Sequence, residues 1–505
     1  MVTKIGFDNA KYLREQSAEI LKRVNLFHNK LYLEFGGKLL FDYHAARVLP
    51  GFDPNVKMQL LQKLKDDAEI ILCICAGDIE KRKMRADFGV AYDADTLRTL
   101  DDFREWGLFV RAVLITRFEE QPGAISFRNQ LERRGIQVVT HRLTRGYPHD
   151  VDTIVSPEGY GANPFIETER PIVVVTGPGP GSGKLATCLG QLYHEHVRGV
   201  RAGYAKFETF PIWSLPLDHP VNVAYESATC ELRDATVMDR FHYDAYCEHS
   251  VNYSRDMEAF PLVQRILEKI TGTTAIYRSP TDMSVNRAGF GITDDAVVRE
   301  AAKQELIRRW FRYACEYTIG LVNRETVTRA EELMTRAGAT KNDRRVVVEA
   351  ERAAQEGIRL NKGNEGIFCG AAIELNDGTI ITGNNSPLLH AASALILNAV
   401  KHLAGIPPEI HLLSPAITES VARLKRDVFA GRSPSLDLEE TLISLSIGAA
   451  FNPSAEAAVE KLRELRGCEL HLTHMPSPGD SAGLRKIGVN VTSNPAFASK
   501  YLFAT

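Results

Sequence analysis

The sequence predicts an α/β fold built on a mostly parallel, doubly wound sheet, and three observations predict it. Short apolar, β-branched runs alternate with amphipathic helical segments through the first third of the chain. One of those runs leads into a Gly-rich turn that opens a helix, PIVVVTGPGPGSGKLATCLGQ from Pro171 to Gln191. The chain, at 505 residues, is also too long for one hydrophobic core, so a multi-domain arrangement is expected.

LYLEF, AEIILCIC, LFVRAVLIT, IQVVTHRL and PIVVVTG read as strands. Between them, FDPNVKMQLLQKLKD, DADTLRTLDDFREWG and AISFRNQLERRG space their apolar residues as amphipathic helices do. Sheets of this kind bind ligands at the carboxyl ends of their strands. Residues 201–287 are less regular and rich in aromatics and prolines, and helical spacing dominates 294–361. Beyond Gly366, GIFCGAAIEL and TIITGN are expected to form a hairpin around Asn376-Asp377-Gly378. Ser386-Pro387 reads as a helix start, and the helix is expected to run through HAASALILNAVKHLAG. EIHLLSP then reads as a strand, ITESVARLKRDVF as a helix, and CELHLTHM and GVNVTSN as closing strands. The expected division is an α/β domain at 1–270, a helical subdomain or connector at 271–362, and an α/β subdomain at 363–505.

Composition narrows the class. With 44% hydrophobic and 25% charged residues the chain has the balance of a soluble globular protein, and a net charge of −3 gives no basic surface for nucleic acid. The N-terminal MVTKIGFDNAKYLREQ lacks the apolar core of a signal peptide, and no apolar run reaches membrane-spanning length. Eight scattered cysteines form no C-x-x-C pair. A cytoplasmic, reducing location with no membrane partner is expected.

The Gly-rich turn has the order of a phosphate-binding loop: strand, glycines, lysine, helix. Backbone N–H groups at a helix start bind phosphate oxygens, and the lysine adds charge. Gly179, Gly181, Ser182, Gly183 and Lys184 are therefore candidate phosphate contacts. The match to G-x-x-x-x-G-K-[ST] is degenerate: Pro178 occupies the first glycine position, and Leu185 stands where a hydroxyl would bind magnesium. Thr187 comes two positions late. That argues against an ordinary magnesium-dependent P-loop ATPase and leaves a tight turn with a solvated lysine as the alternative.

Three further stretches carry candidate chemistry. DRFHYDAYCEHSVNYSRD packs polar and aromatic residues densely, with His242 and Asp244 as acid–base candidates; a helix continuing from Asp244 would place Glu248 on the same face. IYRSPTDMSVNRAGFGITDD offers Asp282 as a third catalytic candidate and Arg278 and Arg287 as phosphate contacts, or else serves as a linker. CAGDIEKRKMRADFGVAYD sets Asp78, Lys81, Arg82, Arg85 and Asp87 where they would either line strand ends or form a solvated helix face. Gly36-Gly37-Lys38 reads as a hairpin turn. His194-x-His196 and His471-x-x-His474 lack further ligands in sequence, so no metal site is assigned.

The order strand, strand, helix opening with His390, strand, then Ser-Pro opening another helix resembles the cytidine deaminase family. Those enzymes carry H-x-E and P-C-x-x-C at the two helix starts. Here the motifs read His390-Ala391-Ala392 and Pro415-Ala416-Ile417-Thr418-Glu419. The acid–base Glu and both cysteines are missing, so zinc-dependent deamination is not expected, and His390 is equally a hydrogen-bonded residue at a helix start. CAGDIEKRKMRADFGVAYD, VTGPGPGSGKLAT, FHYDAYCEHSVNYSRD, YRSPTDMSVNR and TGNNSPLLHAASALILNA onward together resemble a bacterial family catalogued as domain of unknown function 1846. The resemblance covers essentially the whole chain and implies a multi-domain α/β architecture without implying a reaction. Cys247 and Ser254 stand where that family is expected to have Gly and Asn.

The reading that joins these observations is an enzyme that binds a nucleotide or another phosphorylated small molecule, with phosphoryl or group transfer as its reaction and a nucleotide as the one cofactor suggested. The rival is a non-catalytic metabolite-binding or assembly protein. A homo-oligomer is expected in either case.

Overall fold

A computed structural model of the chain describes residues 4–28, 30–85, 89–429, 431 and 433–498. The chain divides into two compact units, Ile5–Ala302 and a second beginning at Lys303.

The first unit is built on seven strands: β1 (Leu31–Phe35), β2 (Ala68–Cys75), β3 (Val110–Thr116), β4 (Val138–His141), β5 (Ile172–Thr176), β6 (Gly203–Phe207) and β7 (Ser284–Val285). Their spatial order is β7-β6-β1-β5-β2-β3-β4, and every neighbouring pair is parallel. All residues of β1, β2 and β5 are buried. A parallel sheet is covered on both faces, so its strands read as unbroken apolar runs, which is why these were visible in the sequence. Strands β6 and β7 lie in the stretch read as irregular. Lys206 interrupts the first, and the second is two residues long.

The connections set where a ligand would sit. The chain leaves β2 toward β3 and leaves β5 in the opposite direction, across β1, toward β6. Connections that diverge open a crevice at the carboxyl ends of the strands. The loop 177–183 lies at that reversal and is followed by the helix Lys184–Val197. Gly36-Gly37-Lys38 is not a hairpin turn, because β1 has parallel neighbours on both sides. It leaves the carboxyl end of β1, where Gly36 N donates to Phe207 O at 3.0 Å.

The second unit carries a four-stranded sheet of β8 (Gly370–Glu374), β9 (Ile380–Asn384), β10 (Glu469–Leu472) and β11 (Asn490–Ser493), in the order β9-β8-β10-β11. The hairpin β8–β9 turns at Asn376-Asp377-Gly378 as its sequence predicts, with Gly378 at φ +86°. Helices Arg345–Arg359 and Ala391–Leu403 cover opposite faces: Ala350 packs with Ala372, and Leu395 with Ala371 and Ile373. Two expectations are corrected. EIHLLSP is turn and coil, so no strand separates the helices Ala391–Leu403 and Pro415–Asp427. Ser386-Pro387 forms a turn whose Ser386 Oγ accepts from Leu388 N and Leu389 N, and the helix begins after its cap at His390. Ser414-Pro415 does open a helix as predicted. Among the described residues no helix is long and apolar enough to cross a membrane.

Arg344, 1% exposed, ties this sheet together. It pairs with Glu469 and donates to Thr492 Oγ1 at 3.0 Å, Leu470 O at 3.1 Å and Asn490 O at 2.9 Å. Removing one member of a buried ion pair costs about 3–5 kcal/mol, but Arg308 also holds Glu469, at 2.7 Å. Arg344→Ala is therefore expected to cost about 3 kcal/mol, the lower end of that range. The check is the urea midpoint of the second unit, and an unmoved midpoint would show that Arg308 alone compensates Glu469.

Candidate functional site

The loop after β5 is built by close approach. Gly183 has φ +93°, and a Cβ there would stand 2.7 Å from Thr116 Cγ2, so only glycine fits. Thr116 Oγ1 donates to Ser182 O at 2.9 Å, tying the loop to the end of β3. Lys184 Nζ folds back over the loop, donating to Gly179 O at 3.2 Å and to Ser182 Oγ at 3.4 Å. Ser182 itself is buried, so its hydroxyl lies inside the loop. The N–H groups of Gly181, Gly183, Lys184 and Leu185 make no hydrogen bond among the described residues, as expected of a helix start. Thr187 is turned inward: its hydroxyl donates to Gly183 O at 2.9 Å and touches Cys73 Sγ at 3.4 Å. Gly179, Gly181, Ser182, Gly183 and Lys184 are thus one structural unit at the carboxyl edge of the sheet.

His242, Arg278 and Asp282 form a second group beside β7. Asp239 caps the helix Arg240–Tyr246, accepting from His242 N at 3.0 Å and from Thr281 Oγ1 at 2.7 Å. His242 Nδ1 meets Ser279 Oγ at 3.0 Å. Asp282 Oδ2 accepts from Tyr246 OH at 3.0 Å and from Arg278 N at 2.9 Å, while Arg278 donates to Ala245 O at 3.1 Å. These groups largely satisfy one another. Asp244 is exposed and makes no hydrogen bond or ion pair among the described residues. The helix ends at Tyr246, so Glu248 does not share a helix face with Asp244 as the sequence suggested. Arg287 stands apart from both groups, paired with Glu19 on the helix Asn9–Leu26.

The remaining candidates separate similarly. Asp78 pairs with Lys83 at 3.4 Å, Lys81 and Arg82 are exposed, the side chain of Arg85 is outside the description, and Asp87 lies outside the described residues. His390 Nδ1 meets Asp480 Oδ2 at 2.8 Å. Burial opposes charge on that ring, but the Asp480 carboxylate outweighs it and raises the histidine above its ordinary value. No group of three metal-ligating side chains occurs among the described residues.

A charged cluster that the sequence reading missed occupies the carboxyl end of the sheet. Glu34 on β1 stands opposite Lys206 on β6 in the parallel register. Lys206 Nζ binds Glu208 at 2.7 Å and Asp256 at 2.5 Å. Tyr204 OH donates to Glu34 Oε2 at 2.8 Å, and Ser284 Oγ donates to Glu208 Oε2 at 3.2 Å. Burial pushes the Glu208 carboxyl up to about 7; Lys206 opposes that rise and Asp256 adds to it. Lys206 is held protonated: burial works against its charge, but Asp256 and Glu208 outweigh burial. The signal was a charged residue set inside an apolar strand, in LYLEF and GYAKFE, where every second residue shares a face.

Ser254 and Cys247 both sit in local structure. Ser254 Oγ accepts from Ala235 N at 3.0 Å and donates to Asp234 Oδ1 at 3.2 Å. Cys247 caps the C-terminus of its helix at φ +56°, a left-handed position where glycine carries no Cβ penalty.

Residues 5–338 match the family model described as "Domain of unknown function DUF1846, N-terminal", and residues 342–503 match "Domain of unknown function DUF1846, C-terminal". Over 501 residues the chain is 56% identical to the UPF0371 protein of Clostridium botulinum (strain Langeland / NCTC 10281 / Type F), with 99% of each chain covered. It is 55% identical over 501 residues to the UPF0371 protein of Clostridium tetani (strain Massachusetts / E88), again with 99% of each covered.

Two outcomes follow from this geometry. Cys247→Gly should raise stability by about 1 kcal/mol, measured by thermal unfolding. Glu208 has a folded value above the ordinary 4.5, so it favours the fold in its neutral form. That contribution is complete below pH 4.5 and is lost as pH rises through about 7. Glu208→Gln should therefore gain about 2–3 kcal/mol on the wild type across that window. Urea unfolding on either side of it is the check, and parallel pH profiles would contradict the assignment.

Proposed function

The chain belongs to the DUF1846 family, and we propose that it is an enzyme that binds a phosphorylated small molecule at the Gly177–Lys184 loop and transfers a phosphoryl or other group. The observation that carries this reading is the position of the loop. It sits at the carboxyl end of the strand from which the connections diverge, with the helix Lys184–Val197 starting directly behind it. Phosphate oxygens are bound at such places by helix-start N–H groups and a nearby cation. The Lys184 ammonium rests on two weak acceptors, at 3.2 and 3.4 Å, which a phosphate oxygen would replace with a charged partner.

With Leu185 in the hydroxyl position and Thr187 bonded back to Gly183 O, binding is expected to be indifferent to magnesium. Lys184→Ala should weaken binding of the phosphorylated ligand by about 1.5–3 kcal/mol, the worth of a charged hydrogen bond. Equilibrium binding of a panel of nucleotides and phosphorylated metabolites, with and without magnesium, tests both statements. Affinity unchanged by the substitution would remove the loop from the function.

A further inference from the structure

We propose that the crevice continues from the phosphate loop across β1 to Glu208, and that this far end recognises the hydroxyl groups of a phosphorylated polyol or sugar. The inference rests on the phosphate reading above. Strands β5, β1 and β6 are neighbours, so their carboxyl ends form one continuous edge. The Gly177–Lys184 loop stands on β5, Gly36-Gly37 on β1, and Glu208 just beyond β6. Two strand spacings separate the carboxyl ends of β5 and β6, about 10 Å, which is the reach of a carbon skeleton of about six atoms carrying one phosphate.

In the middle of the edge two glycines let neighbouring groups pack closely against the backbone. A Cβ on Gly36 would stand 3.1 Å from Phe207 O and 3.8 Å from Glu208 Cγ; one on Gly37 would stand 3.3 Å from Lys57 Nζ and 3.8 Å from Tyr225 OH. With glycine at both positions, the Phe207 carbonyl and the Glu208 methylene border Gly36, and the Lys57 ammonium and the Tyr225 phenol border Gly37. Lys57 is 2% exposed and holds Asp42 at 2.9 Å.

The polar groups there indicate what they would bind. Glu34, Asp42, Glu208 and Asp256 stand against Lys57 and Lys206, an excess of carboxylates over ammoniums that disfavours a second phosphate. Hydroxyls, which both donate and accept, suit such a lining. Tyr253 provides the independent sign of a ligand. It is 7% exposed, its hydroxyl has no partner among the described residues, and its ring lies 6.1 Å from that of Tyr225. Tyr225 in turn borders Gly37, its hydroxyl 3.8 Å from where a Cβ there would stand, which sets Tyr253 beside this cluster. Besides burial, the Tyr253 hydroxyl feels Tyr225 and the Glu208, Asp234 and Asp256 carboxylates. A buried hydroxyl without a partner costs about 1–3 kcal/mol, a cost that a ligand hydroxyl would relieve.

Calorimetric titration of the full chain with inorganic phosphate, sorbitol 6-phosphate and ATP tests the inference, in the wild type and in Lys184→Ala, Glu208→Gln and Tyr253→Phe. Each of the last two changes only one or two polar atoms, and their melting curves report on folding. The expected result is that sorbitol 6-phosphate binds the wild type at least about tenfold more tightly than phosphate, and more tightly than ATP. Glu208→Gln and Tyr253→Phe should each lower that preference without changing phosphate affinity, whereas Lys184→Ala should weaken both ligands. If phosphate binds and depends on Lys184, but the polyol adds nothing, ATP is preferred, or both far-end variants keep the preference, this inference is overturned and the phosphate loop stands. If neither phosphate nor the phosphate esters bind, both fall.

Discussion

One ammonium holds the carboxyl edge of the first unit together. Lys206 stands opposite Glu34 and binds Glu208 and Asp256, and through them it joins β6, β1 and the helix Ser254–Thr271. Ser284 on β7 completes the Glu208 contacts. Three carboxylates beside one half-buried cation leave an excess of negative charge, which burial of Glu34 and Glu208 opposes. Burial raises the carboxyl of Glu208, Asp256 adds to the rise and Lys206 opposes it, so the charge of this edge is set by burial acting against one ammonium.

That concentration of charge is possible because of the sheet's topology. In a parallel sheet all carboxyl ends fall on one edge, and the connections leaving β5 and β2 diverge there. The Gly177–Gly183 loop and the Gly36-Gly37 loop leave adjacent strands, and each reaches a place where a side chain would meet another strand's carboxyl end: Gly183 meets Thr116 and Gly36 meets Phe207 O. Glycine at these positions follows from the packing of neighbouring strand ends. An isolated Gly-Gly-Lys does not show this, which is why its sequence alone read as a hairpin.

The parallel sheet was legible wherever burial on both faces produced an unbroken apolar run, and the phosphate-loop-like turn was legible because glycine and proline mark it. Strands β6 and β7 escaped for the converse reason: Lys206 and Glu208 break the apolar pattern, and β7 is shorter than any period can reveal. In the second unit the β8–β9 hairpin was readable from Asn376-Asp377-Gly378 alone, whereas EIHLLSP has the composition of a strand but finds no sheet edge to pair with. Propensity is decided locally, and pairing is decided by the rest of the fold.

The segment that looked richest in chemistry teaches the complementary point. In 239–246 and 278–282 polar residues are dense, and density lets them satisfy one another: Asp239 serves His242 and Thr281, Ser279 serves His242, and Asp282 serves Tyr246 and Arg278. Bonding capacity spent within a cluster is not available to a ligand. At the edge of β1 and β6 the accounting does not close: Tyr253 keeps a buried hydroxyl without a partner among the described residues, and burial raises the carboxyl of Glu208. Because burying an unsatisfied polar group is costly, an imbalance of that kind points to a ligand more strongly than an abundance of polar residues does.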